Sequence, residues 1–221
     1  MFAEIFFVRL RIVLFFLLSF GYLSASADKY FRKLTVADGL KNNTIWCMTQ
    51  DHLGFIWIGA IDGLYKYDGN QINKIHEEFF SQQNHMRSVT HIQEDSVRNV
   101  LWLIVDDSLF TFDLLAEKMK KVTTDLGKPL CIGYYNQHIL VSFSGKGVYQ
   151  YHPEREEFSP YKMTEEINEC SVLRITNGRK GELELLTSDK GVFVYDHFGR
   201  VIQTPPIQSP LSFITSVRDK K

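Results

Sequence analysis

Gly145-Lys146-Gly147-Val148 offers the glycines and the lysine of a phosphate cradle. Such a cradle needs G-x-x-x-x-G-K-[ST], in which backbone amides and the lysine meet the phosphates and the hydroxyl meets a cation. Here Gly147 stands where the hydroxyl residue is required, and Leu140 where the first glycine is required. Seven histidines, His52, His76, His85, His91, His138, His152 and His197, could do acid–base work or hold a metal. None lies in H-E-x-x-H and no two are four residues apart, so no helical pair of imidazoles is available. Asp51, Asp62, Asp68, Asp95, Asp106, Asp113, Asp189 and Asp196 could supply paired catalytic carboxylates, which work only at a fixed separation. They recur at turn positions, where an Asp side chain bonds nearby backbone amides. Cys47, Cys131 and Cys170 are odd in number and lack C-x-x-C spacing, so they predict neither a disulfide framework nor a metal site. Cys47 and Cys131 sit in apolar runs and read as small buried hydrophobes. Trp46, near the start of a predicted strand, is the candidate for ligand contact, since an indole can stack on a sugar ring. No catalytic, cofactor-binding or metal-binding residue is predicted, and no cofactor.

The elements that would position these residues repeat along the chain. Gly63-Leu-Tyr-Lys-Tyr-Asp68, Leu109-Phe-Thr-Phe-Asp113, Gly147-Val-Tyr-Gln-Tyr-His152 and Gly191-Val-Phe-Val-Tyr-Asp196 are alternating strands that end in an aromatic and a polar residue. Tyr67, Phe112, Tyr151 and Tyr195 follow one another at 45, 39 and 44 residues. A period of about 40–45 residues built from short strands marks propeller blades, none of which can bury its two faces alone. The first repeat reads as strands over Ile45–Gln50, Phe55–Gly59, Leu64–Tyr67 and Gln71–Ile75, separated by turn residues. The others follow the same order, with Trp102 in the strand position of Trp57. The expected fold is all-β: a partial β-propeller of about four four-stranded antiparallel blades over residues 28–221. Its repeats fall near 35–80, 88–122, 128–162 and 170–204, and a fifth starts at 211. The Gly145 turn recurs at Asp62-Gly63 and Asp189-Lys190-Gly191, which makes it a hairpin turn in register. Trp57 and Trp102 at one strand position, and the terminal aromatics at another, predict packing between blades.

Ahead of the repeats, Arg9 and Arg11 precede an apolar run from Ile12 to Leu23, and Ala25-Ser26-Ala27 follows. This describes a signal helix within a secretory signal peptide over residues 1–27, cleaved between Ala27 and Asp28. The competing reading is an uncleaved anchor, although the run is short for a span of ~20 residues. The protein is therefore expected to be exported to the periplasm, touching a membrane only through an uncleaved N-terminus. The formal net charge of −1 gives no electrostatic case for nucleic acid. Phe31-Arg-Lys-Leu34 resembles the outer strand Ile72-Asn-Lys-Ile75, as though completing a blade whose other strands lie elsewhere. The chain is accordingly expected to be a piece of a larger propeller, unless four blades close on themselves or two chains complete each other.

The stretch from Leu34 to Asp68 contains Leu-Thr-Val-Ala-Asp-Gly-Leu, Asn-Asn-Thr-Ile-Trp, Gln-Asp-His-Leu-Gly-Phe-Ile-Trp-Ile-Gly and Asp-Gly-Leu-Tyr-Lys-Tyr-Asp. It closely resembles the two-component regulator propeller repeat, which builds the periplasmic sensor half of Bacteroides-type hybrid two-component systems. The resemblance is strong over Phe31 to Ile75, weaker in the later repeats, and together the repeats span most of the chain. It implies a sensor region that follows a signal peptide. In the family two propellers precede an immunoglobulin-like domain, a membrane helix, a histidine kinase, a receiver and a DNA-binding domain. It also implies recognition of glycan breakdown products; this chain departs from the family in ending after about four repeats.

The resulting expectation is a non-enzymatic periplasmic sensor propeller, the N-terminal fragment of a two-component receptor, with an oligosaccharide as ligand. The alternative is a stand-alone scaffold or lectin-like protein, completed by further blades or by a homo-oligomer. An enzyme would need an extra His, Arg or Glu cluster in place of turn residues, and no repeat carries one.

Overall fold

The computed structural model describes residues 33–82, 85–162, 165–178 and 180–203. Contacts divide the chain into Met1–Lys33 and Leu34–Lys221, and the fold below is that of the second unit. The signal segment with Ala27 and Asp28, the start of the outer strand at Phe31 and the fifth repeat expected from 211 lie outside the described residues.

Four antiparallel meanders follow one another. Blade 1 is β1 (Ile45–Gln50), β2 (Ile56–Ala60), β3 (Gly63–Tyr67) and β4 (Ile72–Ile75). A short ribbon, β5 (Ser81–Gln82) with β6 (His85–Met86), precedes blade 2, which is β7 (Val89–Asp95), β8 (Val100–Val105), β9 (Ser108–Asp113) and β10 (Lys118–Val122). Blade 3 is β11 (Pro129–Tyr135), β12 (His138–Phe143), β13 (Gly147–His152) and β14 (Glu157–Pro160). Blade 4 is β15 (Val172–Asn177), β16 (Leu183–Thr187), β17 (Val192–Tyr195) and β18 (Val201–Gln203). Each of these is a four-stranded sheet in chain order, as the repeats predict.

Turn chemistry sets the registers. Val105 pairs with Ser108 across Asp106 and Asp107, which adopt φ of 46° and 61°. Tyr135 pairs with His138 across Asn136 and Gln137, at 47° and 65°. Two consecutive positive φ values define the hairpin turn whose twist matches the strands, and Asn and Asp tolerate that region best. Gly63 closes the β2–β3 hairpin at φ +140°, and a Cβ there would sit 2.9 Å from the Phe80 ring. Gly147, at φ +73°, opens β13 directly after Gly145-Lys146, so this segment is the hairpin turn expected from its recurrence.

The core lies between blades. β8 and β12 are buried at five of their six positions, because a second strand is covered on both faces of its sheet. Trp57 and Leu64 of blade 1 pack on Leu101, Leu103, Phe110 and Phe112 of blade 2. Trp102, Ile104 and Leu109 on the other face of blade 2 meet Ile132, Ile139 and Val141 of blade 3. Leu140 and Val148 then meet Leu183, Leu185 and Phe193 of blade 4. The inner strands adjoin in series, β1 to β7, β7 to β11 and β11 to β15, and no contact of comparable extent joins β15 to β1 among the described residues.

Aromatic pairs recur at this seam. The Trp57 ring lies 5.5 Å from Phe112, and Trp102 lies 4.6 Å from Tyr151. The third interface has Leu140 in place of the indole, against Tyr195. Shared strand position therefore does report interblade packing, and each aromatic pair adds about 0.5–1.5 kcal/mol beyond its buried area.

One segment departs from expectation. His76-Glu77-Glu78 reads as a polar loop in sequence, yet Glu77–Phe80 forms a helical turn. Phe80 is fully buried and Phe79 packs beside it in the blade 1–blade 2 core. Burial of that aromatic pair outweighs the polar character of the residues ahead of it.

The turn carboxylates behave as expected at most positions. Asp68 accepts hydrogen bonds from the amides of Asn70 and Gln71, Asp113 from Leu115 and Ala116, and Asp196 from Phe198 and Arg200. These amide bonds hold all three carboxyls below the ordinary 3.8. A lowered native pKa contributes stability above the unfolded value of about 3.9, and that contribution disappears as pH falls through the native values. The urea midpoint should therefore drop between about pH 5 and pH 3. Replacing the three residues by Asn should flatten that drop, and an unchanged slope in the triple variant would contradict this assignment.

Candidate functional site

Trp46 lies in a recurring irregularity of the inner strands. The register of β1 shifts between Ile45 and Cys47, that of β7 between Val89 and His91, that of β11 between Pro129 and Cys131, and that of β15 between Val172 and Arg174. Trp46, Thr90, Leu130 and Leu173 are thus equivalent extra residues, at bulges that re-aim a side chain. Trp46 is 56% exposed, and it does not line the cleft between blades 2 and 3.

In blades 1 and 3 the residue after the bulge serves packing. Cys47 Sγ faces the Val89 carbonyl at 3.8 Å, and Cys131 Sγ faces the Val172 carbonyl at 3.4 Å, so both thiols lie against the next blade. Burial pushes each up to about 12, which leaves them neutral. All three cysteines are free. At the same position in blade 2, His91 is held below its ordinary value by burial and by the Arg174 charge.

Among the described residues, the other histidines do not converge. His52 Nδ1 lies 2.6 Å from Glu94 Oε1, joining a turn of blade 1 to blade 2. His76 Nε2 lies 2.7 Å from the Glu117 carbonyl, and His152 Nε2 2.7 Å from Ser159 Oγ. Among the described residues no three His, Cys, Asp or Glu side chains gather as metal ligands.

Asp62 differs from its turn neighbours. Its Oδ2 accepts from the Tyr65 hydroxyl at 2.6 Å and lies 3.3 Å from the Lys74 ammonium, and it is buried. The Lys41 amide donates to the Tyr65 hydroxyl, so this cluster fastens the segment preceding β1 to blade 1.

A cleft of about 390 Å³ opens between blades 2 and 3. Its walls include Trp102, Tyr151 and Val122, and its charged groups are Asp95, Arg98, Lys120, Lys121 and Glu156. Arg98 Nη1 bonds Asp95 Oδ2 at 2.9 Å, and Lys120 Nζ bonds both Glu156 oxygens at 2.7 and 2.9 Å. The volume suits a small ligand, and the mixture of aromatic wall with a few placed polar groups is that of a recognition site.

The two indoles of the repeat differ here. Trp57 Nε1 donates to Asp51 Oδ2 at 2.8 Å, while the Asp51 Oδ1 accepts from the Leu53 and Phe55 amides. Asp95 occupies the place of Asp51, but its Oδ2 is taken by Arg98, and Trp102 donates to no partner among the described residues. None of these cleft residues was singled out as a ligand contact from sequence. The available signal is a turn that differs between repeats: Asp51-His-Leu-Gly54 becomes Asp95-Ser-Val-Arg98, one residue longer before its tryptophan and carrying a guanidinium.

Comparison with known proteins agrees with this architecture. Residues 39–62, from the turn before β1 to Asp62, match the two-component regulator propeller family. A histidine kinase of Formosa agariphila is 32% identical over 59 residues, which cover 27% of this chain and 4% of that protein. The extracellular domain of a hybrid two-component system from B. thetaiotaomicron is similar in structure, with TM-score 0.54, 15% identity, and coverage of 77% of this chain and 31% of that one. The β-propeller domain of Swd1 from Myceliophteria thermophila gives TM-score 0.56 at 13% identity, covering 78% and 58%. The chain therefore spans less than two thirds of each of these relatives. It is an all-β propeller-type repeat protein whose first blade carries the two-component regulator propeller repeat.

Proposed function

We propose that the protein is a non-enzymatic, ligand-binding sensor propeller at the N-terminal, periplasmic end of a two-component regulatory receptor, and that its ligand derives from a glycan. The observation that carries this reading is the cleft between blades 2 and 3, where Trp102 and Tyr151 form an apolar wall beside fixed charged groups. Sugar rings present an apolar face and a polar rim, which such a wall can address. Export through residues 1–27 belongs to this reading, as does the extracellular setting of the similar B. thetaiotaomicron domain. Recognition is favoured over catalysis by the pairing of Arg98 with Asp95 and of Lys120 with Glu156 in the cleft, and by the use of Asp68 and Asp113 in turns.

A panel of neutral and acidic mono- and oligosaccharides, screened by thermal unfolding of the full chain, tests the reading. At least one member should raise the midpoint, since a ligand at a hundred times its Kd stabilises the native state by about 2.7 kcal/mol. A folded chain whose midpoint no member shifts would contradict it.

A scaffold completed by further blades or by a second copy is supported by a separate observation. Trp46 and Met48 are 56% and 68% exposed on β1, an end of the blade series. Sedimentation velocity separates the two readings: a discrete dimer indifferent to saccharides favours the scaffold, and a saccharide-binding monomer favours the sensor.

A further inference from the structure

We infer that the cleft between blades 2 and 3 is a binding site for a small monocarboxylate built on a six-membered ring. This rests on the reading of the chain as a ligand-binding propeller. The charges of the cleft nearly cancel in pairs, Arg98 with Asp95 and Lys120 with Glu156. Lys121, which also lines it, has no ion-pair partner among the described residues and leaves one uncompensated cation. The Trp102 indole is 2% exposed, and its N–H has no acceptor among the described residues. The N–H is not among the buried polar atoms left without a partner, so it is reached from the solvent side and is free to donate to a ligand oxygen.

These two groups, one exposed cation and one available donor, match a single carboxylate with an oxygen-bearing neighbour. The wall formed by Trp102 and Tyr151, whose rings are 4.6 Å apart, provides the apolar surface for the ring. The two repeats differ at this point. In blade 1 the carboxylate of Asp51 closes off the indole, whereas in blade 2 Arg98 holds Asp95 and leaves Trp102 available.

The test is titration calorimetry of the full chain with D-glucuronate, D-glucose and benzoate, on the native sequence, Trp102→Phe and Lys121→Gln. Lys121 is exposed, so its variant tests the site without disturbing the core. D-glucuronate should bind at 1:1, at least about tenfold more tightly than D-glucose. Trp102→Phe should weaken it about tenfold, the scale of one lost hydrogen bond in a buried site. Lys121→Gln should weaken it several-fold and remove most of its salt dependence. Benzoate binding that shows the same two losses while D-glucuronate fails supports the ring-carboxylate site and assigns it to an aromatic acid, which contradicts the glycan reading. Equal affinities for D-glucuronate and D-glucose, unchanged affinity in both variants, or no binding of either carboxylate would overturn the inference. Binding of a neutral saccharide elsewhere would then leave the sensor reading standing.

Discussion

Trp57→Ala is expected to lower stability by about 3–5 kcal/mol, the range for removing a buried aromatic. Trp57 is 1% exposed, stacks on Phe112 of the next blade and donates its N–H to Asp51. The substitution empties the blade 1–blade 2 seam and leaves one Asp51 oxygen facing the void. Trp57→Phe keeps most of the volume and the Phe112 contact, so it should cost clearly less. Urea denaturation of the two variants checks the ordering; a Trp57→Ala midpoint within error of the native one would show that blades 1 and 2 do not share a core.

Gly59→Val should be nearly as severe, by overpacking instead of a cavity. A Cβ at Gly59 would lie 2.5 Å from Cys47 Sγ and 2.7 Å from the Val89 carbonyl oxygen, which belongs to the next blade's backbone. Backbone cannot rotate aside as a side chain can, so blades 1 and 2 must separate, at about 3 kcal/mol. The equivalent position in blade 3 is Ser142, opposite Cys131, and its hydroxyl donates to the Val172 carbonyl at 2.5 Å. Gly59→Ser should thus be tolerated better than Gly59→Val. Thermal unfolding distinguishes them, and equal loss in both would contradict the steric account.

The fold was largely legible because its information is local and repeated. Tyr67, Phe112, Tyr151 and Tyr195 mark the third strand of every blade, and Asp106-Asp107 and Asn136-Gln137 supply the turns between strands. The helical turn at Glu77–Phe80 was not legible, because its aromatic pair is fixed by the core between two blades and not by any pattern in its own residues. The same holds for the cleft. Lys121, Trp102 and Tyr151 lie on three strands of two blades, and only their assembly brings them together. Trp46, the ligand-contact candidate near the start of its strand, occupies a bulge shared by all four inner strands, outside the cleft.

Under the proposed sensor reading, occupancy must be felt beyond the pocket. The Trp102–Tyr151 pair packs blade 2 on blade 3 at the cleft, and the Trp57–Phe112 pair packs the other face of blade 2 on blade 1, so a ligand held in the cleft tightens the walls of the blade 2–blade 3 interface. Hydrogen exchange of the full chain, alone and with saturating D-glucuronate, tests this most directly. The account predicts slower exchange in β8 and β13, on opposite walls of the cleft, with β16 in blade 4 little changed. Unchanged exchange in both β8 and β13 would contradict the claim that this propeller holds its ligand between blades.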